Sequence, residues 1–130
     1  MSIEWDEKYR IGNEAIDEEH RELFSIANRF LKATDIEETR AAALELRLYT
    51  KEHFRHEEVL MREVGYPLTA THLRLHADLI SKLDDIDVKI QNGELHQIEI
   101  EEFINYWFIK HMAAMDAPLV VYVKRYMSAL

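Results

Sequence analysis

The chain has 130 residues, 48% hydrophobic and 32% charged, a balance typical of one folded domain. Its net charge of -9 argues against nucleic acid and anionic membrane surfaces as partners, because both are bound by clustered lysine and arginine. It has no cysteine, which excludes disulfides and thiolate metal ligands. The acidic start has no apolar core of a signal peptide, and no apolar run approaches the roughly 20 residues of a membrane span. We therefore expect a cytoplasmic protein without membrane insertion.

The first part of the chain is predicted to form an arm and a helix. The arm covers residues 1–15, where Trp5 and Tyr9 are expected to dock on the rest of the protein. The first helix is predicted from Asp17, taken as its cap, to Ala33. Apolar residues recur there every three or four positions, which gives the helix one buried face. That face carries Ile16, His20, Leu23, Ala27 and Leu31.

Two longer helices are predicted next. One follows the cap Asp35, with Glu38 three residues on as in a capping box, and runs to about Val64, where Gly65 ends it. The other runs from about Thr69 to about 91. The buried face of the second helix carries Ala42, Leu46, Tyr49, His53, Glu57, Leu60, Met61 and Val64. That of the third carries His72, Leu75, His76, Leu79, Leu83, Ile86 and Ile90.

A fourth helix is predicted from about Gln97 toward Asp116, with Ile100, Ile104, Trp107, Phe108 and His111 on one face. Pro118 marks a break, and a short terminal helix is predicted over 120–127. Four amphipathic helices with short links predict an all-α, antiparallel up-and-down four-helix bundle. We expect one domain over 1–130, with the arm at 1–15, the bundle at 16–117 and the C-terminal segment at 118–130.

Seven polar residues occupy these apolar faces, which is the most informative feature of the sequence. A single core histidine is usually hydrogen-bonded filler, but seven such residues spread over four helices need a common explanation. A bound metal compensates their burial, since neutral imidazole and carboxylate are then bonded to positive charge. The predicted metal ligands are His20, His53, Glu57, His72, His76, His111 and Asp116.

Their spacing supports a shared site. His53 and Glu57 are four residues apart, as are His72 and His76, so each pair lies on one helix face. His111 and Asp116 are five apart, about 140° round an ideal helix. That interval needs either a local π-turn or a site wide enough to be reached from both flanks.

The number of candidate ligands indicates two metal ions. Five histidines and two carboxylates exceed the four ligands of a closed zinc site and suit two octahedral ions bridged by both carboxylates. One ion would then be left one ligand short, which suits a small neutral gas. The lack of thiolates fits iron or manganese better than copper or zinc, although softness alone leaves the metal open.

Taken together, these residues resemble the hemerythrin family, specifically its bacterial single-domain members. The resemblance spans nearly the whole chain. It begins with Trp5, Ile11-Gly12 and the run Ile16-Asp17-Glu18-Glu19-His20. It continues through His53-Phe54-Arg55-His56-Glu57-Glu58, Leu60-Met61 and Tyr66-Pro67 to His72 and His76, and ends with Trp107, His111 and Asp116.

The resemblance implies a function and a set of roles. It implies two iron ions, Fe2+ or Fe3+, bridged by oxide or hydroxide, that bind dioxygen reversibly for oxygen storage, transport or delivery. It implies a binding protein rather than an enzyme, expected to be a monomer, with weak association with an oxygen-consuming enzyme left open. One iron would be held by His72, His76 and His111, and the other by His20 and His53, with Glu57 and Asp116 bridging both.

Two positions depart from the family pattern. Met112 stands where isoleucine is frequent after the histidine, at a position expected to help shape the gas pocket. Glu19 stands where glutamine is frequent, and we expect it to be exposed and of little consequence. His56 and His96, which lie off the stripes, are each expected to be either an ordinary surface residue or a residue behind the ligands.

Two other functions stay open at the level of sequence. The same residues could serve a di-iron oxidase, peroxidase or nitric oxide reductase, although such bundles typically carry more carboxylate, including Glu-x-x-His motifs. An oxygen or iron sensor is the other alternative, although 130 residues leave no room for an output domain. The histidine-rich set favours keeping dioxygen over cleaving it.

Overall fold

The structure is a computed structural model that describes residues 3–110 and 116–130. A short 3-10 turn, Glu7–Tyr9, precedes the first long helix. The helices are α1 (Glu14–Lys32), α2 (Ile36–Glu63), α3 (Thr69–Gln91), α4 (Gln97–Glu102) and α5 (Ala117–Ser128), and α4 continues into a π-helical stretch, Phe103–Ile109. The described residues contain no strand.

The long helices close into one bundle. Helix α2 packs against α1 and α3, while α4 packs against α1 and its π-helical continuation against α3. Short links make each helix antiparallel to the next. The predicted all-α up-and-down bundle is therefore confirmed. Within the described ranges, no helix combines the length and the apolar character needed to cross a bilayer.

The first helix begins earlier than its sequence pattern predicted. Its cap is Asn13, whose side chain accepts a hydrogen bond from the Ile16 amide at 3.1 Å. The assignment of Asp17 as the cap was wrong. Asp17 is fully buried in the first turn, where it accepts a hydrogen bond from the Ile11 amide at 2.7 Å and lies 3.6 Å from Arg10 Nε. Its carboxylate thus ties the arm to α1 rather than ending the helix.

The boundaries of α2 and α3 follow their sequence signals. The Asp35 side chain caps α2 by accepting from the Glu38 amide at 2.8 Å, as predicted. At the other end, the Tyr66 amide donates to the Met61 carbonyl at 2.9 Å across Gly65, whose φ of 65° suits glycine. Helix α3 has the predicted bounds.

The fourth helix is not the continuous α-helix that was predicted. It becomes a π-helix at Phe103, within a run of bulky residues whose members Phe103, Ile104 and Phe108 are buried. A π-helix takes more residues per turn, so an α-helical period cannot be carried through it to later positions. The interval 111–115, where a π-turn was one of two predicted alternatives, lies outside the described residues. Helix α5 starts three residues before the predicted terminal helix, with Pro118 in its first turn.

The N-terminal arm docks on α1 as predicted. The backbone of Ile3 exchanges two hydrogen bonds with the Asn28 side chain, at 2.7 and 2.8 Å. The Trp5 ring meets Phe24 edge-on at 5.6 Å, and Tyr9 lies 5.3 Å from the same ring. The arm therefore covers the face of α1 that carries His20, whose ring is 6.3 Å from Trp5.

Two apolar clusters fill the bundle, and they define where polar groups are buried. The larger includes Leu23, Phe24, Phe30, Leu46, Phe54, Leu79 and Phe108. The smaller lies toward α5 and comprises Ile11, Ile16, Leu60, Met61, Val64, Tyr66, Leu119 and Val123. On α1, His20 falls between the two, and on α2 so does Glu57. A polar layer is thus enclosed by apolar packing on both sides.

Candidate metal centre

Six of the seven predicted ligands lie among the described residues, and the structure brings them together. Helix α1 supplies one, α2 and α3 supply two each, and the last stands immediately before α5. All are buried, with at most 3% of the residue exposed: His20, His53, Glu57, His72, His76 and Asp116. The seventh, His111, lies outside the described residues, as does Met112.

These residues form two groups that could each hold a metal ion. One group is His20, His53 and Glu57, and the other is Glu57, His72 and His76. In each group the candidate ligand atoms lie within 4.8 Å of one another. Glu57 belongs to both, so the two groups are adjacent.

The two oxygens of Glu57 divide between the groups. Glu57 Oε1 lies 2.6 Å from His72 Nε2 and 3.2 Å from His76 Nε2. Glu57 Oε2 lies 2.9 Å from His53 Nε2 and 3.5 Å from His20 Nε2. One carboxylate oxygen therefore faces each pair of imidazoles, which is the arrangement that a carboxylate bridging two ions requires.

Asp116 also lies close to both groups. Its Oδ1 lies 3.1 Å from His72 Nε2, and its Oδ2 lies 3.6 Å from His20 Nε2. Burial and the nearby charge of Glu57 raise the pKa of Asp116, although contacts with His72 and His20 work against the rise. Two carboxylates this close to each other need positive charge between them.

The histidines supply part of that charge when no metal is bound. Burial lowers the pKa of His53, but hydrogen bonds with Glu19 and Glu57 outweigh it and raise the pKa to about 9. For His72, contacts with Asp116 and Glu57 likewise outweigh burial, and the pKa rises to about 9. Burial raises the pKa of Glu57, yet the four imidazoles around it bring it well below its usual range.

His20 shows that protein contacts alone do not satisfy the centre. Both of its ring nitrogens are buried, and among the described residues neither has a hydrogen-bond partner. Its Nε2 lies near Glu57 and Asp116, at 3.5 and 3.6 Å, without making a hydrogen bond, and a metal ion bound there would offset the free-energy cost of burying the imidazole. The donor set of neutral imidazoles and carboxylates also suits iron. The residues present therefore fit a metal.

Behind the candidate ligands lies a polar contact that was not predicted from the sequence. Glu19 is only 19% exposed, and its Oε1 lies 3.0 Å from His53 Nδ1. Its Oε2 contacts His56 Nδ1. The expectation that Glu19 is exposed was wrong. The period of α1 held the signal, because Glu19 lies three residues after Ile16 and four before Leu23, at the edge of the apolar stripe.

Aromatic rings pack against the imidazoles of the two α3 histidines, His72 and His76. The Phe54 ring stacks on His76, with centroids 3.6 Å apart and planes inclined by 5°. Tyr66 meets His72 edge-on at 6.3 Å. His56, 45% exposed at its side chain, and the exposed His96 lie away from this layer, as expected.

Comparisons with known proteins agree on one protein family. The family model described as hemerythrin HHE cation binding domain matches residues 11–122. A bacteriohemerythrin of Stenotrophomonas maltophilia is 30% identical over 95% of this chain and 83% of its own length. One of Pseudomonas aeruginosa is 30% identical over 97% of this chain and 84% of its own.

A solved hemerythrin with a leucine-to-tyrosine substitution shares the fold. Its TM-score is 0.77 at 22% identity, covering 91% of this chain and 96% of that one. With this family, the buried layer of imidazoles and carboxylates indicates a non-haem iron site. On the match to the family model and the relatives at 30% identity, the chain belongs to the hemerythrin family.

Proposed function

We propose that this protein binds dioxygen reversibly at a non-haem di-iron centre, for oxygen storage, transport or delivery. The observation that carries the proposal is the position of the Glu57 carboxylate, whose two oxygens face different pairs of buried imidazoles. A histidine-rich site for two adjacent ions follows from it. The relatives at 30% identity are named bacteriohemerythrin, which supports the same conclusion.

The ligand roles proposed here follow the family resemblance. Each iron would be held by its own histidines, and both carboxylates would be shared between the two ions. His72, His76 and His111 would hold one iron, His20 and His53 would hold the other, and Glu57 and Asp116 would serve both. The role of His111 rests on the resemblance alone.

The chemistry that two bound irons supply is a reversible two-electron change on meeting dioxygen. The protein's own residues hold the ions and keep the site dry. Phe54 and Tyr66 cover imidazoles on the α3 side, while Trp5 covers His20. Excluding water in this way limits proton entry and side reactions at the site. Neutral imidazoles outnumber carboxylates among the proposed ligands, which favours retaining dioxygen over activating it.

Spectroscopy on the iron-loaded protein tests the proposal. The protein is reduced under nitrogen and exposed to air while its visible spectrum is followed, and the iron content is measured. We expect two irons per chain and a new visible band that disappears when nitrogen returns. Irreversible oxidation on first exposure would instead indicate an oxygen or iron sensor, or an oxidase or peroxidase that uses the same site. Fewer than two irons per chain would contradict the site itself.

A further inference from the structure

The two ring nitrogens of His53 face two different glutamates. Nε2 points to the centre, 2.9 Å from Glu57 Oε2, and Nδ1 points away from it, 3.0 Å from Glu19 Oε1. A carboxylate accepts hydrogen bonds, so Nδ1 donates to Glu19. That leaves Nε2 as the nitrogen that is free to bind a metal once it has lost its proton.

Glu19 is itself held by a second histidine on the neighbouring helix. Its other oxygen, Oε2, accepts from His56 Nδ1, while His56 Nε2 lies 3.1 Å from Glu52 Oε1. The carboxylate of α1 thus bridges two histidines of α2, and both of its oxygens are used. A side chain fixed at both oxygens and 81% covered differs from an exposed ion pair, which typically contributes little.

We propose that Glu19 is a positioning residue for His53, and that His56 holds Glu19 in place. The inference rests on the proposed di-iron function. It goes beyond that function by making one of the two irons depend on a residue outside the ligand set. Glu19 contacts His53 and, on its other oxygen, His56, so we expect the iron assigned to His20 and His53 to be the one that depends on it.

The rate of iron release tests whether one iron depends on Glu19. Iron-loaded protein is mixed with an excess of ferrous chelator, and the time course of release is compared between the unchanged chain, Glu19→Ala and Glu18→Ala. Glu18 is the matched control, because it is 72% exposed and paired with Arg21. Loss of a carboxylate behind a ligand histidine typically weakens metal binding about 10- to 100-fold. In Glu19→Ala we expect one of the two irons to leave faster by that factor.

A conservative variant separates charge from packing. The amide oxygen of Glu19→Gln can still accept from His53 Nδ1, but the side chain carries no negative charge. We expect iron release close to that of the unchanged protein and a higher midpoint potential, because the ferric state loses a stabilising charge. A purely structural role for Glu19 would leave the potential where it was.

The outcomes separate this inference from the proposed function. If Glu19→Ala released both irons at the same rates as the unchanged chain, the positioning role would be overturned. Equal acceleration of both irons would overturn it as well, since that indicates a general loosening of the bundle. An unchanged chain that holds fewer than two irons would overturn the proposed function, and this inference with it. We expect His56→Ala to act in the same direction as Glu19→Ala, with a smaller factor.

Discussion

The two halves of the metal centre use the same ligand types but support them differently. On the α1 side, His53 is held from behind by the Glu19 carboxylate at 3.0 Å. On the α3 side, His76 is covered by the Phe54 ring at 3.6 Å, and the Glu58 carboxylate lies farther off, at 3.6 Å from Nδ1. His53 is therefore supported by a charged neighbour, whereas His76 is supported mainly by a stacked aromatic ring.

This difference indicates where each half is vulnerable. A charged partner acts on the basicity and orientation of its imidazole, so its loss is felt mainly in metal binding. A stacked ring acts through buried area, so its loss is felt mainly in the stability of the fold. Glu57 is common to both halves, so its loss should affect metal binding in both of them. Variants at these positions test the comparison directly.

The largest effect is expected at Glu57. The substitution Glu57→Gln keeps the volume of the side chain and removes the charge that both pairs of imidazoles share. We expect the iron content to fall from two per chain toward none, measured by metal analysis after anaerobic loading. Glu63→Gln, at an exposed position near the end of the same helix, should keep both irons. Two irons retained in Glu57→Gln would contradict a shared carboxylate.

Truncating Phe54 should mainly affect stability. Phe54 is 6% exposed, and large-to-small changes of buried phenylalanine cost about 3–5 kcal/mol. We expect Phe54→Ala to lower the free energy of unfolding of the metal-free protein by that amount, measured by urea denaturation. Glu19→Ala should cost less than that, because truncating this side chain leaves no cavity in the apolar core. A reversed order of the two costs would break the contrast between the halves.

As the pH rises, the stability of the metal-free chain and its affinity for metal should change in opposite directions. Burial lowers the pKa of His53 and His72, but their carboxylate neighbours outweigh it and raise each to about 9, above the ordinary 6.5. Raised histidine pKa values contribute stability that is fully present below pH 6.5 and is lost as the pH rises through 9.

We therefore expect the free energy of unfolding of the metal-free chain to fall over that interval. Metal binding releases the same protons, so metal affinity should rise over it. Urea denaturation of the metal-free chain and metal titration, both at a series of pH values, check the two signs. Parallel trends would show that the histidine charges do not govern both processes.

Local sequence signals predicted the elements that depend on neighbouring residues. Helix α3 has the predicted bounds because its apolar period is regular and a glycine follows its end. The cap Asp35 was also identified correctly. Asp17 was misread because an aspartate near a helix start is usually a cap, and only the folded arm supplies its actual partner, the Ile11 amide.

The cluster of buried polar residues was predictable because these residues interrupt the apolar period of their helices. Glu19 was missed because its partners, His53 and His56, are 34 and 37 residues away on another helix. The π-helical stretch from Phe103 was missed for a different reason. Its residues are equally compatible with an α-helix, and the choice depends on how their bulk fits between α1 and α3.

The smallest effect is expected at His96, and it tests whether position or residue type makes a ligand. His96 is exposed beside the start of α4, where its backbone amide donates to Glu99 Oε1 at 3.3 Å. That bond survives truncation, so His96→Ala should keep two irons and the reversible visible band. His53→Ala removes a buried imidazole between Glu19 and Glu57 and should lose dioxygen binding. If both variants behaved alike, burial on the apolar face would not be what selects the ligands.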